Sequence, residues 1–382
     1  MSRRAWTSTD ALPLLRAAAA ALGLPSVEPR ILRLGTNATA RVGDVVVRVA
    51  PAGREHEAVA AEVAVARHAA AAGVPVVEPL GESVLVGADP APRGARAPES
   101  GRESAPGRRP DPGAARGGHW VTTWRWIPHD PDARVDGAAF GALLRRFHDG
   151  TADLAGPGGD LGARTDEGGG PDAAARSARG GERDADASSS LVGHGERDAD
   201  VVAGVARPGP APVVLGPWRQ PAIIDGWLAG LDDHPAVDDD ERALLRRLRD
   251  ARLAAVAGWE RDAVVVHGDA HPGNVLLGAE GAVLLDLDLV ARGPRAWDLA
   301  PAALHARRYA GGSPAWWDAA REAYGPPRDP REDAFVDLRE LASALWLVAA
   351  QPRTSRAARD PEVDVRLAAL RGDADAPRWA AS

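Results

Sequence analysis

"HGDAHPGN" (267–274) is followed, twelve residues after its asparagine, by the first aspartate of "LLDLD" (284–288). Val264, Val265 and Val266 lead into the first stretch, and Val275, Leu276 and Leu277 resume the apolar run behind it. β-Branched runs of this length read as strands. Gly268, Pro272 and Gly273 forbid a helix between them and shape a tight loop. "GAEG" (278–281) reads as a hairpin turn, and "AVLLDLDLV" as a third strand. The loop therefore carries Asp269 and Asn274, and the third strand returns Asp286 beside them. Two carboxylates and an amide oxygen are hard ligands that suit Mg²⁺ better than zinc, and the chain has no cysteine.

Protein kinases place a catalytic-loop acid and a metal-binding asparagine five residues apart, then a second metal aspartate after a short hairpin. Asp269 and Asn274 keep that interval. Gly268 stands where protein kinases have arginine, and Leu287 and Asp288 replace the Phe-Gly after the metal aspartate, which points away from protein kinases. The chain instead resembles the aminoglycoside phosphotransferase and choline kinase-like family of small-molecule phosphotransferases. "HGDAHPGN" resembles that family's catalytic loop, "LLDLD" its metal strand and "GPRAWDLA" (293–300) the stretch that follows. "HGERD" (194–198) repeats the first letters but lacks a following asparagine.

The resemblance implies an α+β, protein-kinase-like, two-lobed fold with a small β-rich N-lobe and a larger, mainly helical C-lobe. It implies ATP as phosphate donor, with GTP open because hinge contacts through the backbone leave no side-chain signature. It also implies Mg²⁺ and a small hydroxylated acceptor: an aminoglycoside, an amino alcohol or a sugar. Asp269 is then the catalytic base or hydroxyl-orienting residue, with Asn274 and Asp286 the metal ligands. His267, His271 and Asp298 support the loop. Asp288 either orients a metal-bound water or is a satisfied strand-end acid. The competing function is an inactive nucleotide-binding pseudokinase with a scaffold role; loss of metal ligands would be its signature, and the set of Asp269, Asn274 and Asp286 is intact.

Phosphate also needs a cation from the small lobe. Kinases use lysine there, and every one of the 46 Lys-plus-Arg positions in this chain is arginine. Arg48, on the strand after "GDVVV", takes that place, and a guanidinium binds phosphate well. Glu62 is the expected helix partner, with Glu57 as rival. Gly35, Thr36 and Asn37 of "LGTNATARV" are expected to face the phosphates. Adenine is expected against hinge backbone at Thr123, Trp124, Arg125 and Trp126. Trp316 and Trp317 could form a cage for a cationic acceptor or could simply pack. Asp329, Glu332, Asp333, Asp337 and Glu340 could form an acidic acceptor wall, or an ordinary helix face interleaved with arginines.

The 382 residues suffice for two lobes, and 54 acids against 46 bases give a net charge of −8, which argues against nucleic acid as a partner. No apolar run approaches the roughly 18 residues of a membrane span. Two arginines and an alanine-rich run open the chain in the manner of an export signal, but Asp10 and Arg16 interrupt it. An amphipathic helix capped near Thr9 or Asp10 is expected, in a cytoplasmic protein. The N-lobe is expected over 1–127 and the C-lobe over 128–382. Residues 31–50 read as two strands around "GD", 55–72 as a helix and "VPVVEPLG" (74–81) as the next strand. Segments 88–118 and 151–214, the second with "GERDAD" twice, carry too little apolar surface to offset chain ordering and read as disordered inserts.

Overall fold

The computed structural model describes residues 6–87, 118–155, 205–206 and 215–380. Helix α1 (Ser8–Ala21) begins at Thr7, whose hydroxyl accepts from the Asp10 N–H at 3.2 Å, slightly earlier than Thr9 or Asp10. Its buried residues Ala11, Leu15, Ala18 and Ala19 lie on one face and pack with the sheet that follows.

That sheet opens with three antiparallel strands, β1 (Arg30–Leu34), β2 (Ala38–Val42) and β3 (Val45–Val49), where two were expected. The stretch "ATARV" alternates buried and half-buried along its length, with Ala38, Ala40 and Val42 inward. Alanine is a weak strand signal, so the period of two was masked by composition. Helix α2 (His56–Ala71) follows, then β4 (Val84–Val86) and β5 (His119–Arg125). With β6 (Val205–Ala206) they make a six-stranded sheet in the order β1-β2-β3-β5-β4-β6. Segment 74–81 is not a strand. Pro75 and Pro79 remove ladder donors, and single bridges remain from Val76 to Leu284 and from Pro79 to Trp124.

The second half is helical around two small β-ladders. Helix α3 (Gly137–Gly150) buries Phe140, Leu143, Leu144 and Phe147. Helices α4 (Gln220–Ala229) and α5 (Asp239–Ala255) come next, the latter opened by a reciprocal Asp238–Glu241 capping box. Strand β7 (Ala263–Val266), strands β8 (Val275–Gly278) and β9 (Gly281–Leu284), and β10 (Ala291–Pro294) follow; β7 pairs with β10 and β8 with β9. Helices α6 (Arg295–Arg308), α7 (Pro314–Tyr324), α8 (Glu332–Ala349) and α9 (Pro361–Arg371) complete the chain. Trp218, Trp297, Phe335, Leu341 and Leu345 fill the core among α4, α6 and α8.

The expected insert at 88–118 lies outside the described residues except for Gly118, as do 156–204 and 207–214 of the second. Residues 151–155 do not belong to such an insert. They extend α3 into a 3₁₀ turn that buries Thr151 and Leu154. Among the described residues no helix is long and apolar enough to cross a membrane.

Helices α3 and α7 meet at van der Waals closeness through two glycines one turn apart. A methyl group on Gly137 would overlap the Trp316 carbonyl, and one on Gly141 the Ala320 carbonyl. At Gly226, in α4, a methyl group would meet nothing within 4 Å. Gly141→Ala is therefore expected to cost about 1–3 kcal/mol through overpacking. Gly226→Ala should gain roughly 0.5–1 kcal/mol by restricting the unfolded chain. Urea unfolding of the two variants checks the opposite signs.

Candidate active site

The loop after β7 is fastened by one buried carboxylate. Asp298, fully buried near the start of α6, accepts from the backbone N–H of His267 at 2.6 Å and of Gly268 at 2.8 Å. Its Oδ2 also meets His148 Nε2 at 3.0 Å, and His148 Nδ1 meets the Tyr324 hydroxyl at 2.7 Å. The Trp297 indole donates to the Gly268 carbonyl at 2.9 Å. Gly268 has φ +90°, and a side chain there would collide with the Leu289 carbonyl. Glycine in place of the kinase arginine is thus a steric requirement of this loop.

The loop is laced to the segment that carries Asp286. Asn274 Nδ2 donates to the Asp269 carbonyl at 2.9 Å, and the Leu285 N–H donates to the Asn274 carbonyl at 2.9 Å. His267 Nε2 meets the Leu285 carbonyl at 2.7 Å. His271 caps a single 3₁₀ turn, its Nδ1 accepting from the Gly273 N–H at 3.1 Å. Strand β9 ends at Leu284, so Asp286 is not in a strand as expected. It adopts φ +61°, a left-handed conformation uncommon for aspartate, which alternation cannot foresee.

Charges of the sheet reach across to this segment. Arg48 lies between two acids, Nη2 at 2.5 Å from Glu62 Oε1 and Nη1 at 2.9 Å from Asp286 Oδ1. Glu62 is buried, whereas the rival Glu57 is exposed. Burial pushes the Glu62 carboxyl up to about 7 against the opposing pull of Arg48. Arg33 stands 3.8 Å from Asp286 Oδ2. Arg54 donates to the Asp288 carboxylate at 3.2 Å and to its carbonyl at 2.5 Å, and Asn37 Nδ2 donates to the same carboxylate at 3.1 Å. Burial first, and the neighbouring Asp288 second, raise the Asp286 pKa. A divalent cation would relieve both effects.

Among the described residues no group of three or more His, Asp or Glu side chains is arranged to hold a metal. Asn274 and Asp286 do offer one amide and one carboxylate oxygen. The Asn274 Nδ2 contact leaves its Oδ1 for a cation, and Mg²⁺ commonly takes one or two protein ligands alongside phosphate and water. The donor set fits.

Asp269 carries an ion pair to Arg339 of α8, with His271 Nε2 at 3.7 Å from its other oxygen. Burial would raise the Asp269 pKa, but Arg339, then the two histidines, outweigh it and hold it below the ordinary value. Burial pushes His271 down to about 4, so that ring is neutral near pH 7. Arg339, Arg33, Arg54, His148 and Tyr324 were not foreseen as parts of this region.

Other expected positions are already engaged. The Gly35 N–H donates to the Asn37 carbonyl at 3.1 Å, and the Thr36 carbonyl accepts from the Trp6 indole at 3.2 Å. Asn37 Oδ1 is buried without a partner. The Thr123 carbonyl accepts from Leu80, the Arg125 N–H donates to Glu78, and the Trp126 N–H donates to Asp44. The Trp124 ring is buried, its indole N–H on the Thr122 hydroxyl. Trp316 donates to the Val135 carbonyl and packs on Phe140, whereas Trp317 lines a separate cavity of about 440 Å³ beside Arg321 and Glu332, so the two do not form a cage. Four of the five acids of the acidic stretch are matched by arginines: Asp329 by Arg331, Glu332 by Arg321, Asp337 by Arg307, and buried Glu340 by Arg252, Arg307 and Arg308; Asp333 lines the same cavity as Trp317.

Residues 26–336 match the model of the phosphotransferase enzyme family known as APH. The chain belongs to this family. No curated protein matches the sequence. Among solved structures, the fold is similar to amicoumacin kinase hAmiN in complex with AMP-PNP, Ca²⁺ and Ami, with 13% identity, TM-score 0.56, and coverage of 92% of this chain and 88% of that one. It is also similar to the GDP complex of a mutant aminoglycoside 2'-phosphotransferase-IIIa, with 12% identity, TM-score 0.52, and coverage of 95% and 97%. A choline/ethanolamine kinase family protein from Mesorhizobium loti aligns at 18% identity and TM-score 0.49, covering 96% of this chain and all of that one. At these identities the likeness to the first two is one of fold, and it agrees with a kinase-like α+β architecture, β-rich first and helical after.

The brace has a pH signature. Burial lowers the His148 pKa, so the unfolded chain takes up a proton below about pH 6.5, the ordinary histidine value, before the folded protein does. Stability linked to neutral His148 is fully present above that pH and is lost as pH falls toward the depressed folded value. His148→Gln, which keeps an amide donor for Asp298, is expected to show a shallower loss of stability than the parent between pH 7.5 and 5.5. Urea midpoints at three pH values measure the two slopes.

Proposed function

We propose that the protein is an ATP-dependent phosphotransferase that moves the γ-phosphate to a hydroxyl group of a small molecule. The observation that carries this reading is the lacing of Asp269, Asn274 and Asp286 into one loop pair, with Arg48 held between Glu62 and Asp286. Family membership supports phosphoryl transfer as the reaction class. Residues 1–127 are the proposed nucleotide-binding lobe and 128–382 the catalytic and acceptor-binding lobe.

In this reading Asp269 accepts a hydrogen bond from the acceptor hydroxyl and aims its oxygen at the γ-phosphorus. The new P–O bond forms as the bond to the β-phosphate oxygen breaks, ADP leaves, and Asp269 takes the hydroxyl proton or passes it to water. Its depressed pKa keeps it ionised and suits it to orienting the hydroxyl. Asn274 and Asp286 hold Mg²⁺, which when bound neutralises phosphate charge. Arg48 turns from Asp286 to the phosphates while Glu62 retains its other nitrogen. Arg33 and Arg54 stand near enough to Asp286 and Asp288 to add positive charge at the same mouth. Adenine contacts fall beyond the engaged N–H groups of Arg125 and Trp126, on the chain leaving β5. The pseudokinase alternative is weakened by the intact set of Asp269, Asn274 and Asp286.

ADP release with Mg·ATP across a panel of hydroxylated acceptors tests the reading. Asp269→Ala should abolish turnover while Mg·ATP still binds, and Asp286→Ala should weaken binding as well. Normal turnover by Asp269→Ala on the best acceptor would sink the assignment. In the same assay Arg48→Ala is expected to raise the ATP KM or lower kcat on the order of ten- to a hundredfold, the scale of a lost charged phosphate contact. Unchanged ATP kinetics would remove Arg48 from the nucleotide site.

A further inference from the structure

We propose that Arg339 selects acceptors carrying an oxyanion, a carboxylate or phosphate, close to the hydroxyl that receives phosphate. This rests on the phosphotransferase reading above and specifies its substrate class.

Arg339 projects from α8 onto Asp269, and its guanidinium lies over the Trp297 ring at 5.4 Å from the centroid. That ring is itself anchored to the catalytic loop through the Gly268 carbonyl. The Arg339 side chain remains one-fifth exposed. Among the described residues Asp269 is its one hydrogen-bond partner. A guanidinium has five N–H donors in a planar fork, so most of the fork is unclaimed. It stands beside the acid that would orient the acceptor hydroxyl. An acceptor seated with its hydroxyl on Asp269 brings its neighbouring substituents to that fork. A carboxylate or phosphate there receives charge-assisted, bidentate hydrogen bonds, whereas an ammonium meets like charge.

The surroundings point the same way. Arg33 lies close enough to the loop to bear electrostatically on His271, as Arg339 does, and its side chain is nearly two-thirds exposed. Three of the four α8 acids that could have drawn an ammonium are matched: Glu332 by Arg321, Asp337 by Arg307, and Glu340 by three arginines, while the fourth, Asp333, lines the separate cavity beside Trp317. The acceptor side of Asp269 therefore presents an available cation, Arg339.

The test compares D-glycerate, L-lactate and glycerol 3-phosphate with glycerol, choline and kanamycin as acceptors. ADP release is followed for the parent, Arg339→Met and Arg339→Lys. The parent is expected to favour the oxyanion acceptors over glycerol and both cations in kcat/KM. Arg339→Met should collapse the ratio of acid to glycerol on the order of ten- to a hundredfold, the scale of one charge-assisted hydrogen bond; Arg339→Lys should restore part of it. Whether glycerate or glycerol 3-phosphate leads identifies the oxyanion, and either supports the proposal. A parent preference for choline or kanamycin overturns it. So does an Arg339→Met that lowers kcat equally on glycerol and the acids, because that is the mark of a residue that only positions Asp269. If none of the six turns over, calorimetric titration of each into protein saturated with Mg²⁺ and a non-hydrolysable ATP analogue decides. Nucleotide binding without Arg339-dependent binding of an acid overturns this proposal alone, and absence of Mg·nucleotide binding overturns the phosphotransferase reading beneath it.

Discussion

The carboxylate of Asp298 is the constraint on which the rest of the site depends. A fully buried charge is unfavourable unless several donors compensate it. Here two come from the backbone of the loop after β7 and one from His148 on α3. Because the two backbone donors are adjacent, the carboxylate fixes the direction in which Asp269 leaves the loop. Because His148 in turn meets Tyr324, which accepts from Arg295 at 3.2 Å, the loop is bolted to α3, α6 and α7 together. Removing Asp298 would strand two buried N–H groups as well as a histidine, so the cost would fall on loop geometry and fold stability at once. The close glycine contacts between α3 and α7 serve the same end, since they bring Tyr324 within reach of His148.

A second set of charges joins the sheet to this loop. Arg48 and Arg54 and the amide of Asn37 come from the N-terminal half; Asp286 and Asp288 come from the segment after β9. These groups satisfy one another. In the proposed reading a triphosphate and its cation would offer better partners to both sides, arginines to phosphate and carboxylates to metal, so binding would exchange partners without stranding charge. The raised pKa values of Glu62 and Asp286 reflect how heavily burial weighs on these acids before that exchange.

Much of this architecture was legible in the sequence because it rests on period and punctuation. The hairpin of β8 and β9 and the glycine-rich loop before it follow from spacing alone. The meeting of Arg48 with Glu62 was accessible only through the family resemblance, which implies a cation on that strand and an acid on the helix that follows. What escaped depended on tertiary proximity or on weak local signals. Strand β2 was hidden by alanine and threonine, and the prolines of 74–81 were passed over in an apolar stretch. The left-handed Asp286 has no sequence marker. Arg339 is 70 residues from Asp269 and is one arginine among many, so nothing in composition or spacing singles it out.

The absence of lysine makes the arginine at position 48 more than a substitution of one cation for another. An ammonium is a point charge on a flexible stem, and its contacts shift with its rotamer. The guanidinium of Arg48 is planar, and two of its nitrogens address two different acids, Nη2 on Glu62 and Nη1 on Asp286. Fixing one contact therefore orients the other. In the proposed reading Asp286 would turn to a cation while the ion pair to Glu62 keeps Arg48 in place. The position of the helix that carries Glu62 is thereby coupled to the position of the Arg48 guanidinium. In this chain that coupling is a property of the rigid fork itself, and a single flexible amine could not supply it.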